Sequence, residues 1–155
     1  NHVIAGHPHI CLFEPEIPQN AGTIGRLAAG TGCRLHMIRP FGFSTDDRNL
    51  LRAGLDYWPF LDLEIHDSFT DFVGLGFKKM AFLSKLGRKC YTEIPADIDA
   101  LVFGRETSGL PEFLWQEYSE NFYQIPIFHE GVRSFNLANA VSITVYSQLE
   151  KRAKF

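Results

Sequence analysis

The chain has 155 residues, 45% of them apolar and 21% charged, with a formal net charge of −3; this is a globular domain large enough for a real core, without an overall basic charge for gripping phosphates. Cys11, Cys33 and Cys90 are widely spaced and form no CxxC pair, so neither a disulfide framework nor a cysteine zinc site is suggested, and a reducing cytoplasm is the expected setting. No run is apolar enough to span a membrane, and Asn1 to His9 lacks the charged start and apolar centre of a signal peptide. The expected organisation is one domain over 1–155, with 1–8 flexible or foreign to the native chain.

In chain order, His9–Phe13 predicts a strand, Asn20–Ala29 a helix behind the Pro15 and Pro18 turn, and Arg34–Ile38 a second strand. A short helix is expected over Asp47–Ala53, a strand over Leu61–Ile65 and a helix over Ser68–Val73. Lys79–Leu83 and Ala100–Phe103 read as core strands, Gly104 and Gly109 bracket a polar turn, and Pro111 opens a helix. Phe122–Ile125 is the last strand, and a long apolar helical pattern follows with Ser134 and Asn136 at N-cap positions. Alternating β and α predict an α/β fold, a parallel sheet with helices on both faces.

The terminal helix has more apolar surface than one core needs. Leu137, Val141, Thr144, Val145 and Leu149 form one stripe, while Ala138, Ala140, Ile143 and Tyr146 fill much of the remaining circumference. A second subunit on that other face, in a symmetric homodimer, is the simplest expectation.

Several familiar chemistries do not fit. Gly30-Thr-Gly32 and Gly74-Leu-Gly76 lack the third glycine of a dinucleotide fingerprint, and no P-loop occurs. His7-x-His9 is a lone pair, and His36 and His66 sit in or beside strand patterns, where a structural role is the expectation. Most of the basic residues, including Arg34, Arg39, Arg48, Arg52, Lys85 and Arg88, fall before residue 90, which leaves both a local basic face and scattered solvated charge open.

Three motifs remain: Phe13-Glu-Pro-Glu-Ile-Pro-Gln-Asn-Ala-Gly-Thr-Ile-Gly-Arg26, continuing through Thr31–Pro40 and Arg52-Ala-Gly-Leu-Asp-Tyr57; Phe103-Gly-Arg-Glu-Thr-Ser-Gly-Leu-Pro111; and Ile125-Pro-Ile with Arg133-Ser-Phe-Asn-Leu-Ala-Asn-Ala-Val141. In order and separation they resemble the motifs of SPOUT methyltransferases, and more narrowly of the TrmL-like (YibK-like) tRNA ribose 2'-O-methyltransferases, over about residues 10 to 150. The resemblance implies a SPOUT sheet closed by a C-terminal deep trefoil knot, a homodimer, and S-adenosylmethionine (SAM) bound bent in a cleft near the dimer interface and released as S-adenosylhomocysteine. It implies no metal and no membrane, and the short Asn1–His9 segment leaves no room for an appended RNA-binding domain.

Residue by residue, Leu83, Gly104, Ile125 and Ser134 match the family's cofactor-contacting positions, with Gly104 admitting close backbone approach. Arg26 matches the motif arginine that activates or orients the ribose hydroxyl. Being always protonated, it fits stabilisation of a developing alkoxide better than proton removal. Asn20 is expected on the same helix face, orienting Arg26 or the ribose. Tyr146 and Arg133 match positions near the site, and Glu106 is expected to steady the turn. Arg105 stands where relatives carry proline or a small residue, altering the cofactor turn or adding a phosphate contact, and Ala138 replaces a common serine. Tyr57, Phe128 and His129 are candidates for stacking on splayed bases of an anticodon loop.

The resemblance favours methylation of the wobble nucleotide, C or U, of leucine tRNA. A 2'-O-methyltransferase acting on ribosomal RNA and a knotted RNA-binding dimer without catalysis stay open.

Overall fold

The computed structural model describes residues 2–44, 48, 52 and 56–155. Short apolar runs pair into a sheet of seven parallel strands: β1 (His9–Phe13), β2 (Leu35–Ile38), β3 (Leu63–His66), β4 (Met80–Leu83), β5 (Lys89–Cys90), β6 (Ala100–Phe103) and β7 (Phe122–Gln124), in the order β3-β2-β1-β6-β4-β7-β5. Every residue of β2, β4 and β6 is buried. That is how strands covered on both faces read, as nearly continuous apolar runs rather than alternations, with His36 of β2 the polar exception.

Helices α1 (Pro18–Thr31) and α4 (Leu137–Lys151) cover one face, and α2 (Phe69–Val73) and α3 (Glu112–Tyr118) the other. The two cores divide by the period of two: Ile10, Leu12 and Leu101 pack with Ile24 of α1 and Val145 of α4, while Cys11, Phe13 and Val102 pack with Phe72 of α2 and Leu114 of α3. All three cysteines are unpaired, and no helix among the described residues is long and apolar enough to cross a membrane.

The order in which the chain adds parallel strands reverses at β1, with β2 and β3 laid on one side of it and β4 and β6 on the other. In such sheets a crevice opens at the carboxyl ends of the strands near that reversal. Register aligns the ends here, with Leu83 opposite both Phe103 and Tyr123. β7 lies between β4 and β5, and the segment joining those two strands crosses it: Ser84 donates its amide to the Tyr123 carbonyl at 2.9 Å, and a Cβ on Gly87 would come within 2.4 Å of Tyr123 backbone.

Some expectations shift. The strand expected over Leu61–Ile65 begins at Leu63, because a 3-10 turn over Trp58–Phe60 occupies the chain up to Leu61. β5 has no apolar run to announce it and exists by pairing with β7. Of the helix expected over Asp47–Ala53, only Arg48 and Arg52 are described, both helical and exposed; the remainder lies outside the described residues. Residues 2–8 contact the end of α1. Ile4 donates its amide to the Gly32 carbonyl at 2.9 Å, and His7 Nδ1 lies 2.6 Å from the Thr31 carbonyl.

Candidate active site

Three segments with no local relation converge at the carboxyl ends of β4, β6 and β7. Together with the start of α1 they enclose a cleft of about 490 Å³, within the usual size of small-molecule sites. Leu83, Ile125 and Ile127 give it an apolar wall; Ser84–Leu86, Gly104–Leu110 and Arg133–Asn136 bring backbone and polar groups to it.

The amides leading into α1 find no acceptor in the helix itself: Ile17 is the N-cap and offers no side-chain bond. Glu106 supplies them from the second motif. Its carboxylate accepts from the amides of Glu16 at 2.9 Å and Ile17 at 2.8 Å, and from Asn20 Nδ2 at 3.3 Å. Glu16 answers in the other direction, accepting from the Thr107 amide at 2.9 Å and from its hydroxyl at 2.8 Å. Those bonds hold the Glu16 carboxyl below the usual carboxylate range, the Thr107 amide first among the causes. Asn136 then caps α4, its Oδ1 accepting from the Ala138 amide at 2.9 Å, and its Nδ2 donates to Asn20 Oδ1 at 3.0 Å. One relay, Asn136 to Asn20 to Glu106 to the Ile17 amide, therefore ties the third, first and second motifs together.

Removing Glu106 should be costly. Glu106→Ala orphans two amides that now bond a charged acceptor, so a loss of about 2 kcal/mol in unfolding free energy is expected, with weaker cofactor binding as the cleft loses its latch. Urea unfolding beside calorimetric titration checks both, and an unchanged midpoint would contradict the latch.

The second motif closes on itself through paired backbone bonds between Arg105 and Gly109, at 3.1 and 3.0 Å, with Gly109 at φ 66°. A Cβ on Gly104 would stand 2.4 Å from Gly109 C and 2.5 Å from Leu110 N. Glycine is thus required for this loop to fold back over β6, which is a different reason from the expected approach of a ligand. Arg105 braces the same loop. Its Nε donates to Glu14 Oε1 at 2.9 Å and its guanidinium lies 5.0 Å from the Phe13 ring centroid, holding Glu14 at φ 49°, where non-glycine residues are uncommon.

The cleft gathers Leu83, Gly104, Ile125, Ser134, Arg133, Arg105 and Asn20; Arg26 and Tyr146 are not in its lining. Asn20 is 8% exposed, whereas Arg26 is exposed. Six residues at 3.6 per turn put them on different sides of α1, so the expected shared face is not found, and the Asn20 amide is spent on Glu106 and Asn136. Asn136, not Ser134, caps α4. Tyr57, expected to stack on bases, is buried, and its hydroxyl donates to the Gly22 carbonyl; burial pushes that hydroxyl up to about 12, against the pull of the nearby Arg26. Phe128 is 97% exposed and His129 exposed, as stacking groups must be.

On α4, Ala138 joins Val141, Thr144, Val145, Gln148 and Leu149 in its own core, not the second face. That outward face carries Ile143 at 36% and Tyr146 at 49% exposure, with the Phe155 ring 6.2 Å from Tyr146. Several basic residues are already partnered: Arg34, Arg39 and Lys79 each meet an acid, at 3.7, 2.9 and 2.5 Å, and the Arg88 guanidinium lies over the Trp115 ring. Lys85 and Arg133 are the cations beside Arg105 in the cleft lining. Asn136 was legible in the sequence as an N-cap but not as the partner of Asn20, and Glu16 went unread as a residue that builds the site.

Comparison with known proteins identifies the family to which this fold and cleft belong. The model of the SpoU rRNA methylase family matches residues 7–146, and the chain belongs to that family. A relative from Saccharophagus degradans, a tRNA (cytidine(34)-2'-O)-methyltransferase, is 45% identical over 141 residues, 89% of this chain and 91% of its own. One from Yersinia pestis with the same description is 43% identical over 146 residues, 89% and 90% of the two chains. A solved structure concerned with 2-OH methylation of C/U34 on tRNA superimposes with a TM-score of 0.88 at 41% identity, covering 97% of this chain and all, 100%, of that one. The methyltransferase AviRb from Streptomyces viridochromogenes, in complex with AdoMet, shares the fold with a TM-score of 0.81 at 21% identity, over 99% of this chain and 63% of its own.

Proposed function

We propose that the protein is a SAM-dependent 2'-O-methyltransferase of tRNA that acts in the cytoplasm on the ribose of the wobble nucleotide, C or U at position 34, with leucine tRNAs as substrates. The observation that carries this reading is the cleft, where all three motifs meet and are latched by Glu106, Asn20 and Asn136. The residues fit the cofactor: an apolar wall suits an adenine ring, and the tightly folded Gly104–Gly109 loop presents backbone groups to it. Leu83, Gly104, Ile125 and Ser134 would hold it. When bound, SAM supplies an electrophilic methyl group and a thioether leaving group.

The chain's own part is positioning and charge. In-line displacement gains mostly from alignment, which the latched loops enforce. Arg26 stabilises negative charge developing on the ribose 2'-oxygen as the hydroxyl proton passes to solvent water, and Arg133, with Arg105 bracing the loop, meets substrate phosphate. No metal takes part. Arg26 and Tyr146 lie outside the cleft of their own chain, and a homodimer across the outward face of α4 accounts for both: it covers Ile143 and Tyr146 and lets the site be completed between protomers. The crossing of the β4–β5 segment over β7 supports a deep trefoil knot formed by the single domain, the C-terminal segment being threaded through that loop.

A hydrodynamic mass near that of two chains is expected, with Ile143→Asp giving monomers that lose cofactor binding. A fully active monomer would contradict the shared site. For the function, purified protein with labelled SAM should move label into bulk tRNA; label entering ribosomal RNA alone would favour the rRNA reading, and cofactor binding without transfer to any RNA the non-catalytic one.

A further inference from the structure

Away from the cleft, parallel pairing of β1, β2 and β3 stacks three histidines and a carboxylate on one face of the sheet edge. Register sets His36 opposite Glu64 and Ile38 opposite His66, and the period of two turns Glu64 and His66 to the same side. His36 Nδ1 lies 3.0 Å from His66 Nε2, and Glu64 Oε2 lies 3.5 Å from the first and 3.6 Å from the second. None of the three residues lines the cleft.

We propose that His36, Glu64 and His66 bind one zinc-class divalent ion, clipping the edge strand β3 to β2. Zinc bonds of about 2.0–2.2 Å to nitrogen and oxygen place tetrahedral ligand atoms about 3.3 Å apart, and the observed triangle of 3.0, 3.5 and 3.6 Å brackets that value. Two imidazoles and a carboxylate are a known donor set for zinc, leaving the fourth position to water.

The surrounding groups orient each ligand. His36 Nε2 lies 2.9 Å from His9 Nδ1; donation in that direction leaves the His36 Nδ1 lone pair facing the site, as a second-shell partner does for metal-bound histidine. Arg34 reaches the other oxygen of Glu64, Oε1, at 3.7 Å, so Oε2 stays turned to the histidines. Phe72 and Phe77 wall the His36 ring edge-on, with centroids 5.0 and 5.9 Å away. His36 is fully buried, while His66 is 10% and Glu64 41% exposed, which gives an ion a route from solvent.

Calorimetric titration of the metal-free full chain with zinc chloride, repeated with cobalt(II) to read its visible absorption, tests the site. One ion per chain with micromolar or tighter affinity, a four-coordinate cobalt spectrum and a zinc-dependent rise in Tm are expected. Glu64→Gln and His66→Ala should each weaken binding by more than about tenfold and abolish the rise, while His129→Ala leaves zinc affinity unchanged. Absence of binding by the wild-type chain, or wild-type affinity in both ligand variants, would overturn the proposal and leave a hydrogen-bonded histidine chain.

Discussion

Arg26→Ala is expected to lower single-turnover methyl transfer by ~10²- to 10³-fold, the loss typical when a donor to a developing oxyanion is removed, with SAM affinity unchanged. The separation follows from placement: Arg26 is exposed on α1 and does not line the cleft, whereas the candidate cofactor contacts do. Arg26→Lys should restore little, because an ammonium keeps the charge and loses the planar fork that fixes two partners. Cofactor titrations beside the rate measurements decide it. Parallel loss of binding and rate would move Arg26 to a structural role, and an undiminished rate would remove it from the mechanism.

The second large effect is expected at Gly104. Any side chain there drives a Cβ to 2.4 Å from Gly109 backbone, and backbone, unlike the end of a flexible side chain, has nowhere to move without opening the loop. Gly104→Val should therefore abolish SAM binding by dismantling the Arg105–Gly109 closure, and Gly104→Ala should already impair it severely. The sheet has a separate core on both faces, so the far-ultraviolet circular dichroism spectrum should stay close to wild type. Calorimetry with SAM measures the effect, and an unchanged affinity in Gly104→Ala would refute this account of the loop.

Strands buried on both faces were legible as apolar runs: His9–Phe13 and Ala100–Phe103 have the observed ends to the residue. β5 was not, since Lys89–Cys90 is a strand only by virtue of β7 arriving between it and β4. Within the site, the cleft positions Leu83, Gly104, Ile125 and Ser134 were legible through their motifs, and the structure lines the cleft with all four. What joins those motifs was not legible. The start of α1 is held by Glu106, across the fold, and Asn20 is the middle of a relay. The separation of Asn20 and Arg26 was available from helical periodicity, six residues being well short of two full turns. His9, His36 and His66 belong to three successive strands; local spacing offered only His7-x-His9, whose members point to different partners.

Mapping the methylated nucleotide tests the central claim most directly. Unmodified leucine tRNA, incubated with the protein and SAM, digested to nucleosides and fragments and read by mass spectrometry, should gain one ribose methyl group at position 34 and none elsewhere. A methyl group at another nucleotide, or on a base, would contradict the proposed reaction.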